Sequence, residues 1–556
     1  MATEEPRNFE TWDWVLFGLM LAVSAGIGIF YAVKEYFNKN SNSSEFLMGG
    51  RNMQLLPVAI SILVSFMSAI LILGTPAEMY TAGTLYFMYL IGMVLAIIMS
   101  ALIFVPLLYP LRLTSSFEIL YMGIASYAPS TALEAVTGFP TWATIITVGC
   151  VSTFYTFLGG MKAVVWTDVF QSVIMVAGLL AIVIQGTLKV GGLDTVWSIN
   201  EDWHRIEFWD ANFDPTVRHS IWSLVIGGAV GWMSTYGCNQ AITSLAGVVM
   251  FAYYAQKGCD PLSNNQVDNS NQLVPYFVME VLGYPGLPGL FVSCLFSGAL
   301  STMSSCLNAL SAVTWEDIFK PLIGHRTSET AKTWIIKLLV LVYGAAGVGF
   351  AFIAKTLGGT VLQASLSFTG AASGPLLGIF LLGGLFPWAN WLGCFVGGFA
   401  GLALPFWISI GAYNLPSSGY KLDFPTDNCT VDEIMLNSTT TIKPVEEFIG
   451  VATVIIVGLF VSLISGWEKE EVDPKYLIPF FDRLACCVPE SWRRPCRCGY
   501  QYKDPEKSTT PTSFSQPPPY TKDNVMILAY KPSTQAAFVY NNSHFVPDTD
   551  NEKSGD

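Results

Sequence analysis

The chain has 556 residues, of which 52% are hydrophobic and only 12% charged, and its mean hydropathy is +0.48, which excludes an ordinary soluble globular domain and indicates repeated bilayer crossings. A net charge of −13 makes nucleic acid an unsuitable partner, and the eleven cysteines show no metal-finger spacing. Cys486, Cys487, Cys496 and Cys498 cluster after the last apolar run, where palmitoylation or no special role fits better than zinc.

The first eleven residues are polar and acidic, without a basic leader, so residues 1–11 are expected outside the cell ahead of a retained first helix, Thr11–Val33. Lys34, Lys39 and Arg51 place the next loop in the cytoplasm. Leu55–Leu73 is a second span, and Ser65, Ser68 and then Gly74-Thr75-Pro76 make it a candidate discontinuous helix. Leu85–Leu108, the weaker run Ile119–Val136, Trp142–Leu158 and Val164–Gly186 follow, the last two separated by an expected loop at Gly159–Lys162. A polar stretch from Lys189 to His219 divides the two halves.

Ser220–Tyr236 is apolar but interrupted by Gly227, Gly228 and Gly231, a second broken span, and Leu245–Ala255 is short for a crossing. Within the span Leu287–Val313, residues Ser297, Ser301, Ser304, Ser305 and Asn308 recur at helical spacing and form one polar stripe, with Thr302 beside it. Neutral hydroxyl and carbonyl oxygens there suit a small cation such as sodium; small residues that let two helices approach closely explain the same pattern. Further spans are expected at Ile335–Ala354, Ala364–Phe386, Trp391–Ala412 and Phe448–Ser465. Residues 414–447 carry glycosylation sequons at Asn428 and Asn437 and are expected outside; Asn42 and Asn541 fall in segments assigned to the cytoplasm and are expected unmodified. Residues 467–556 read as a largely disordered cytoplasmic tail, in which Pro517-Pro518-Pro519-Tyr520 matches a WW-domain ligand, pointing to a WW-containing ubiquitin ligase or to a plain Pro-rich linker.

Two interrupted helices in corresponding halves are the mark of an inverted-repeat transporter. The run Pro285–Phe291 leading into the hydroxyl stripe and then Val313-Thr314-Trp315-Glu316-Asp317 resembles the sodium/solute symporter family, as do Leu158–Asp168, Val136-Thr137-Gly138-Phe139, Arg218-His219 and Tyr236–Gln240. Within that family the likeness is to the anion branch, most to its multivitamin carriers through Lys189–Leu193, Val249–Tyr254 and Asp473–Cys498, and next to its monocarboxylate and iodide carriers. Sugar carriers place Gln near the position of Leu366, so sugar is disfavoured.

The resemblance spans residues 12–466 and implies an all-α, LeuT-like 5+5 inverted-repeat fold with 12–13 membrane helices, two of them shortened. It implies a plasma-membrane sodium symporter, not an enzyme, that imports organic monocarboxylates such as biotin, pantothenate or lipoate, or alternatively lactate, butyrate or iodide, with sodium as coupling ion and no cofactor. Carried over by position, sodium falls on Val64, Met67, Gly298, Ser301 and Thr302, with Asp168 either tied to a second sodium or merely a solvated helix-end carboxylate. The substrate pocket falls on Phe66, Ser68, Leu71, Trp232, Tyr236, Phe368 and Thr369, a mostly apolar lining suited to a weakly hydrated monoanion.

The pattern is interrupted twice. A basic loop and most of a helix are missing after Glu118, and a cytoplasmic loop with half a helix after Gln240. A segment too short to cross at 241–255 would invert everything downstream and leave a shortened form that does not transport.

Overall fold

The computed structural model describes residues 9–37, 46–47, 49, 53–111, 118–212, 219–229, 240–264, 266–267, 270–324, 327–354, 361–413, 422–429 and 445–466. All regular structure among them is helical. In order these helices are α1 (Thr11–Phe37), α2 (Leu55–Phe66), α3 (Ala69–Ala82), α4 (Met88–Leu111), α5 (Glu118–Thr137), α6 (Thr141–Val190), α7 (Leu193–Asp202), α8 (Gln240–Lys257), α9 (Leu273–Val281), α10 (Leu287–Val313), α11 (Glu329–Ala354), α12 (Val361–Leu385), α13 (Trp391–Tyr413) and α14 (Val445–Ser465). A π-turn over Thr314–Phe319 continues α10, and another, Trp222–Gly227, lies before α8.

Among the described residues six helices are long and apolar enough to cross a membrane, and α2 and α3, bent by 54° at the break between them, make seven if the pair is taken as one span. The apolar stretches Thr84–Ser100 and Thr369–Leu385 are shorter. The most apolar window of α10 is 89% buried, against 22–39% for the other five. Thus α10 is the central post, packed on α1, α5, α6 and α2, while α12, α13 and α14 pack together and reach the rest through α12 against α3 and α5. Its start follows from local chemistry: Gly286 takes the left-handed conformation (φ 91°) and Pro288 sits in the first turn, where a missing N–H costs nothing.

Three expectations change in detail. Gly74-Thr75-Pro76 does not interrupt its span; all three are helical in α3, and the break lies at Met67–Ser68. The turn at Pro76 packs against α8, where a Cβ on Gly247 would come within 2.5 Å of the Pro76 carbonyl oxygen. The expected loop Gly159–Lys162 shrinks to one residue, since the chain turns within α6 at Gly160 alone (φ 54°, ψ −155°). A Cβ there would stand 2.6 Å from the Phe46 carbonyl oxygen, so both backbone and space demand glycine. And α8, with 18 residues, is about 27 Å long, longer than its apolar core suggested. Its Val249, Met250, Phe251, Ala252 and Tyr254 are all buried, so it is sheathed by protein and need not match the lipid thickness.

The chain on either side of the Gln240 interruption returns to one end of the molecule. Arg205 donates from its guanidinium to the Tyr80 carbonyl (2.5 Å) and the Asp423 carbonyl (2.6 Å), while the Tyr80 hydroxyl donates to Asp260. Residues 205 and 260 therefore meet at the C-terminal end of α3. Phe251 and Phe424 cover the Arg205 guanidinium at 3.6 and 4.8 Å, and Asp260 also accepts from the Ser263 amide and hydroxyl. Burial pulls Arg205 down to about 10, with Tyr80, Asp260 and Asp423 acting against that fall, so it stays cationic at neutral pH.

A disulfide, Cys259–Cys429, ties the turn after α8 to residues 422–429 across 170 positions of sequence. The Asp260 amide donates to Pro425 and the Asn428 amide to Gly258 beside it. Between the two cysteines α10, α11, α12 and α13 supply four long helices, and α9, with nine residues, is too short to cross. Nothing in the cysteine spacing indicated this pair.

Closing so long a loop stabilises by on the order of 2–5 kcal/mol. Cys259→Ser is expected to lower the melting temperature of the purified protein by a few degrees and to open Cys429 to maleimide labelling without reductant. Unchanged labelling of Cys429 would show that the pair is not formed.

Candidate functional site

The break between α2 and α3 is made by serine rather than by glycine or proline. Met67 leaves helical geometry (φ −80°, ψ 66°), Ser68 is extended (φ −74°, ψ 160°), and the Ser68 hydroxyl caps the new helix by accepting from the Ile70 amide at 3.1 Å. The carbonyls of the last turn of α2 lose their partners one turn on, as every helix end must. Val64, Met67 and Ser68 are buried, so those polar groups are turned into protein rather than water.

Helix α10 meets the break directly. A Cβ placed on Gly298 would stand 2.9 Å from the Met67 carbonyl oxygen and 3.0 Å from the Ala69 amide nitrogen, so the missing side chain is what allows the approach. One turn on, the Thr302 hydroxyl donates to the Ser65 carbonyl (3.0 Å) and to Gly298 in its own helix (2.8 Å). The Ser65 hydroxyl lies 3.5 Å from that of Ser301 and 2.7 Å from that of Ser305. Ser301 and Thr302 are fully buried. The structure thus gathers Val64, Met67, Gly298, Ser301 and Thr302 at one place between α2 and α10, a cluster of neutral oxygens in an apolar surround.

Asp168 belongs to the same neighbourhood and is not a solvated helix-end carboxylate. It is fully buried, one oxygen accepts from the Ser61 hydroxyl, and the other has no hydrogen-bond partner among the described residues. Ser61 lies one helical turn before Ser65, whose hydroxyl donates back to the Ser61 carbonyl at 2.8 Å. Hydrogen bonds therefore lead from the carboxylate through the hydroxyl and carbonyl of Ser61 to the Ser65 hydroxyl, which meets Ser301 and Ser305 of α10. Ser61 is absent from the expected site, although its i−4 relation to Ser65 was a usable signal.

Of the expected substrate contacts, Ser68 is buried at the break and engaged as a cap, Leu71 is half-buried in the first turn of α3, and Thr369 is half-buried on α12, which packs against α3. The side chains of Phe66 and Phe368, and Trp232 and Tyr236, lie outside the described residues. Of the two sequons only Asn428 is described; it is exposed, and its side chain donates to the Lys257 carbonyl at 3.0 Å.

The sodium:solute symporter family profile matches residues 46–123, 113–243 and 240–401. Its seams fall at 113–123 and 240–243, the two places where the sequence departs from the family pattern. Sodium-coupled monocarboxylate transporter 2 of Mus musculus is 37% identical over 89% of this chain and 90% of its own length. Sodium-coupled monocarboxylate transporter 1 of Homo sapiens is 37% identical over 87% and 92%, and the sodium-dependent multivitamin transporter of Oryctolagus cuniculus 37% over 89% and 89%. Among solved structures, a substrate-bound, outward-open sodium-coupled sialic acid symporter superposes with a TM-score of 0.63 at 20% identity, covering 83% of this chain and all of that one, so the fold is LeuT-like.

Gly298→Ala forces α10 away from the break at a cost of about 1–3 kcal/mol. The sodium concentration that half-maximally stabilises the purified protein against heat is expected to rise about tenfold or more. An unchanged midpoint would place sodium elsewhere.

Proposed function

The chain belongs to the sodium:solute symporter family, and we propose that it uses an inward sodium gradient to import an organic monocarboxylate across the plasma membrane. The observation that carries this reading is the seating of Gly298 and Thr302 of α10 against the interrupted backbone at Ser65–Met67. Broken helices free carbonyl oxygens, and the Ser301 and Thr302 hydroxyls add neutral donors, so a bound sodium ion keeps its positive charge. That charge balances a monoanion in an apolar pocket at Phe66, Ser68, Leu71, Trp232, Tyr236, Phe368 and Thr369, with no fixed Arg or Lys among them. Relatives named for monocarboxylates and for vitamins are equally similar, so support extends to their shared carboxylate and not to one compound.

The buried carboxylate of Asp168 is a second place for sodium, or a step on its way out, through the serine path. Sodium holds α2 and α10 together and favours the outward-facing form; substrate beside the break closes the outer side; loss of sodium inside loosens the contact and frees both. The reading is of a transporter and not of an enzyme, with sodium as co-substrate and no cofactor.

The disulfide supports the orientation, because such bonds persist on the oxidising side of the membrane. That side holds residues 414–447 with Asn428 and Asn437 and the N-terminus, and leaves residues 467–556 in the cytoplasm, where Pro517, Pro518 and Tyr520 would meet a WW-domain ligase. A second reading, a shortened form that does not transport, is favoured by the two seams in the family match.

Cells displaying the protein are expected to take up at least one of labelled biotin, pantothenate, lactate and iodide in sodium but not in choline medium. Silence toward all four at normal surface level would support the second reading. Ser301→Ala with Thr302→Ala should cut that uptake at least tenfold; persistence with the same sodium dependence would reduce the stripe to packing. Glycosidase sensitivity lost in Asn428→Gln with Asn437→Gln checks the orientation.

A further inference from the structure

Helix α1 precedes the family match, which begins at residue 46, and takes no part in the mechanism above. It nevertheless packs on α10, which carries three of the proposed sodium ligands, and on α6, which carries Asp168. Asp13 is 1% exposed, and one of its carboxylate oxygens accepts from the Gly286 amide (3.0 Å) and the Gly289 amide (2.9 Å), the first turn of α10. Its other oxygen accepts from the Glu10 amide at 2.9 Å, which fixes the carboxylate in its own turn. The seat is tight, since a Cβ on Gly289 would stand 2.4 Å from the Asp13 Cα.

Further along, Phe17 meets Phe296 of α10 edge to face at 4.6 Å. The Gln171 side chain of α6, one turn from Asp168, donates to the Ser24 hydroxyl at 3.2 Å. The next contact is steric, with Gly28 lying under Tyr155, where a Cβ would come within 2.5 Å. The Tyr155 hydroxyl in turn donates to the Leu300 carbonyl at 2.8 Å, immediately before Ser301. Four successive points of α1 thus grip first α10, at Asp13 and Phe17, and then α6, at Ser24 and Gly28.

From these contacts we infer that α1, anchored by Asp13, is a clamp that sets the position of α10 and so tunes sodium affinity; Asp13 is a positioning residue that never touches the ion. The inference rests on the sodium-site reading above. A cation held by carbonyls from α2 and hydroxyls from α10 needs those helices placed to a fraction of an ångström. An anion at the N-terminus of α10 satisfies two orphan amides and interacts favourably with the helix dipole, so it resists sliding of that helix along its axis.

The test uses the purified full chain, with sodium replaced by choline at constant ionic strength and melting temperature followed against sodium concentration. Asp13→Ala is expected to raise the sodium midpoint about fivefold, and Asp13→Asn, which keeps an acceptor oxygen but not the charge, about twofold. A lower melting temperature without sodium but an unchanged midpoint in both variants would make Asp13 a simple fold-holding cap and overturn the inference. Should Asp13→Ala not fold, the Asp13→Asn midpoint decides: a twofold rise supports the clamp, and no change removes it. An unmodified chain whose melting temperature ignores sodium fails the sodium-site reading itself, and the inference falls with it. A sodium-stabilised unmodified chain beside variants that share its midpoint fails only the inference.

Discussion

The architecture depends on one close approach, the backbone of α10 at Gly298 against the break at Met67–Ser68. A helix can be interrupted in an apolar interior only where something satisfies or uses the freed backbone groups. Here Ser68 caps one side and Thr302 donates to the Ser65 carbonyl on the other. A side chain at position 298 would crowd the Met67 carbonyl and the Ala69 amide and push α10, with its Thr302 contact, away from the break. The burial of α10 on every side follows, because the element that supports the break must itself be fixed.

Fixing comes from both ends of α10 and from its flank. Asp13 holds the first turn, the Tyr155 hydroxyl meets the Leu300 carbonyl midway, and the Asn308 side chain donates to the Leu47 carbonyl at 3.1 Å near the last turn. Beside Leu47, the residues Phe46, Trp315 and Ile336 form a small separate core. Contacts of this kind hold a helix in place without adding charge next to the neutral oxygens of the site.

The α3 side of the break is tied differently. Arg205 donates to an end carbonyl of α3, and its charge is sheltered between two aromatic rings. Removing a buried cation from water is costly, so the carbonyls and rings around Arg205 specify where three segments meet. Through Asp260, Asp423 and the disulfide, α3 is joined to connections that lie far apart along the chain. Any movement of α3 therefore carries those connections with it.

What the sequence determined by itself was set by local periodicity and composition: a many-helix membrane protein, a hydroxyl stripe on one face of the span at Leu287–Val313, a broken second span, and motifs specific enough to name a family. Residue spacing along one helix can show that Ser297, Ser301 and Ser305 share a face, because 3.6 residues make a turn. Spacing does not show what that face meets. Tertiary structure decided that the break falls at Met67–Ser68 and not at Gly74–Pro76, since a serine cap and a glycine on another helix outweigh the local tendency of proline. It also decided that Asp168 is buried beside Ser61, that Asp13 reaches an amide 276 residues away, and that Cys259 pairs with Cys429. Each of these is a long-range meeting of polar groups, and one-dimensional patterns hold no record of which buried donor will find which acceptor.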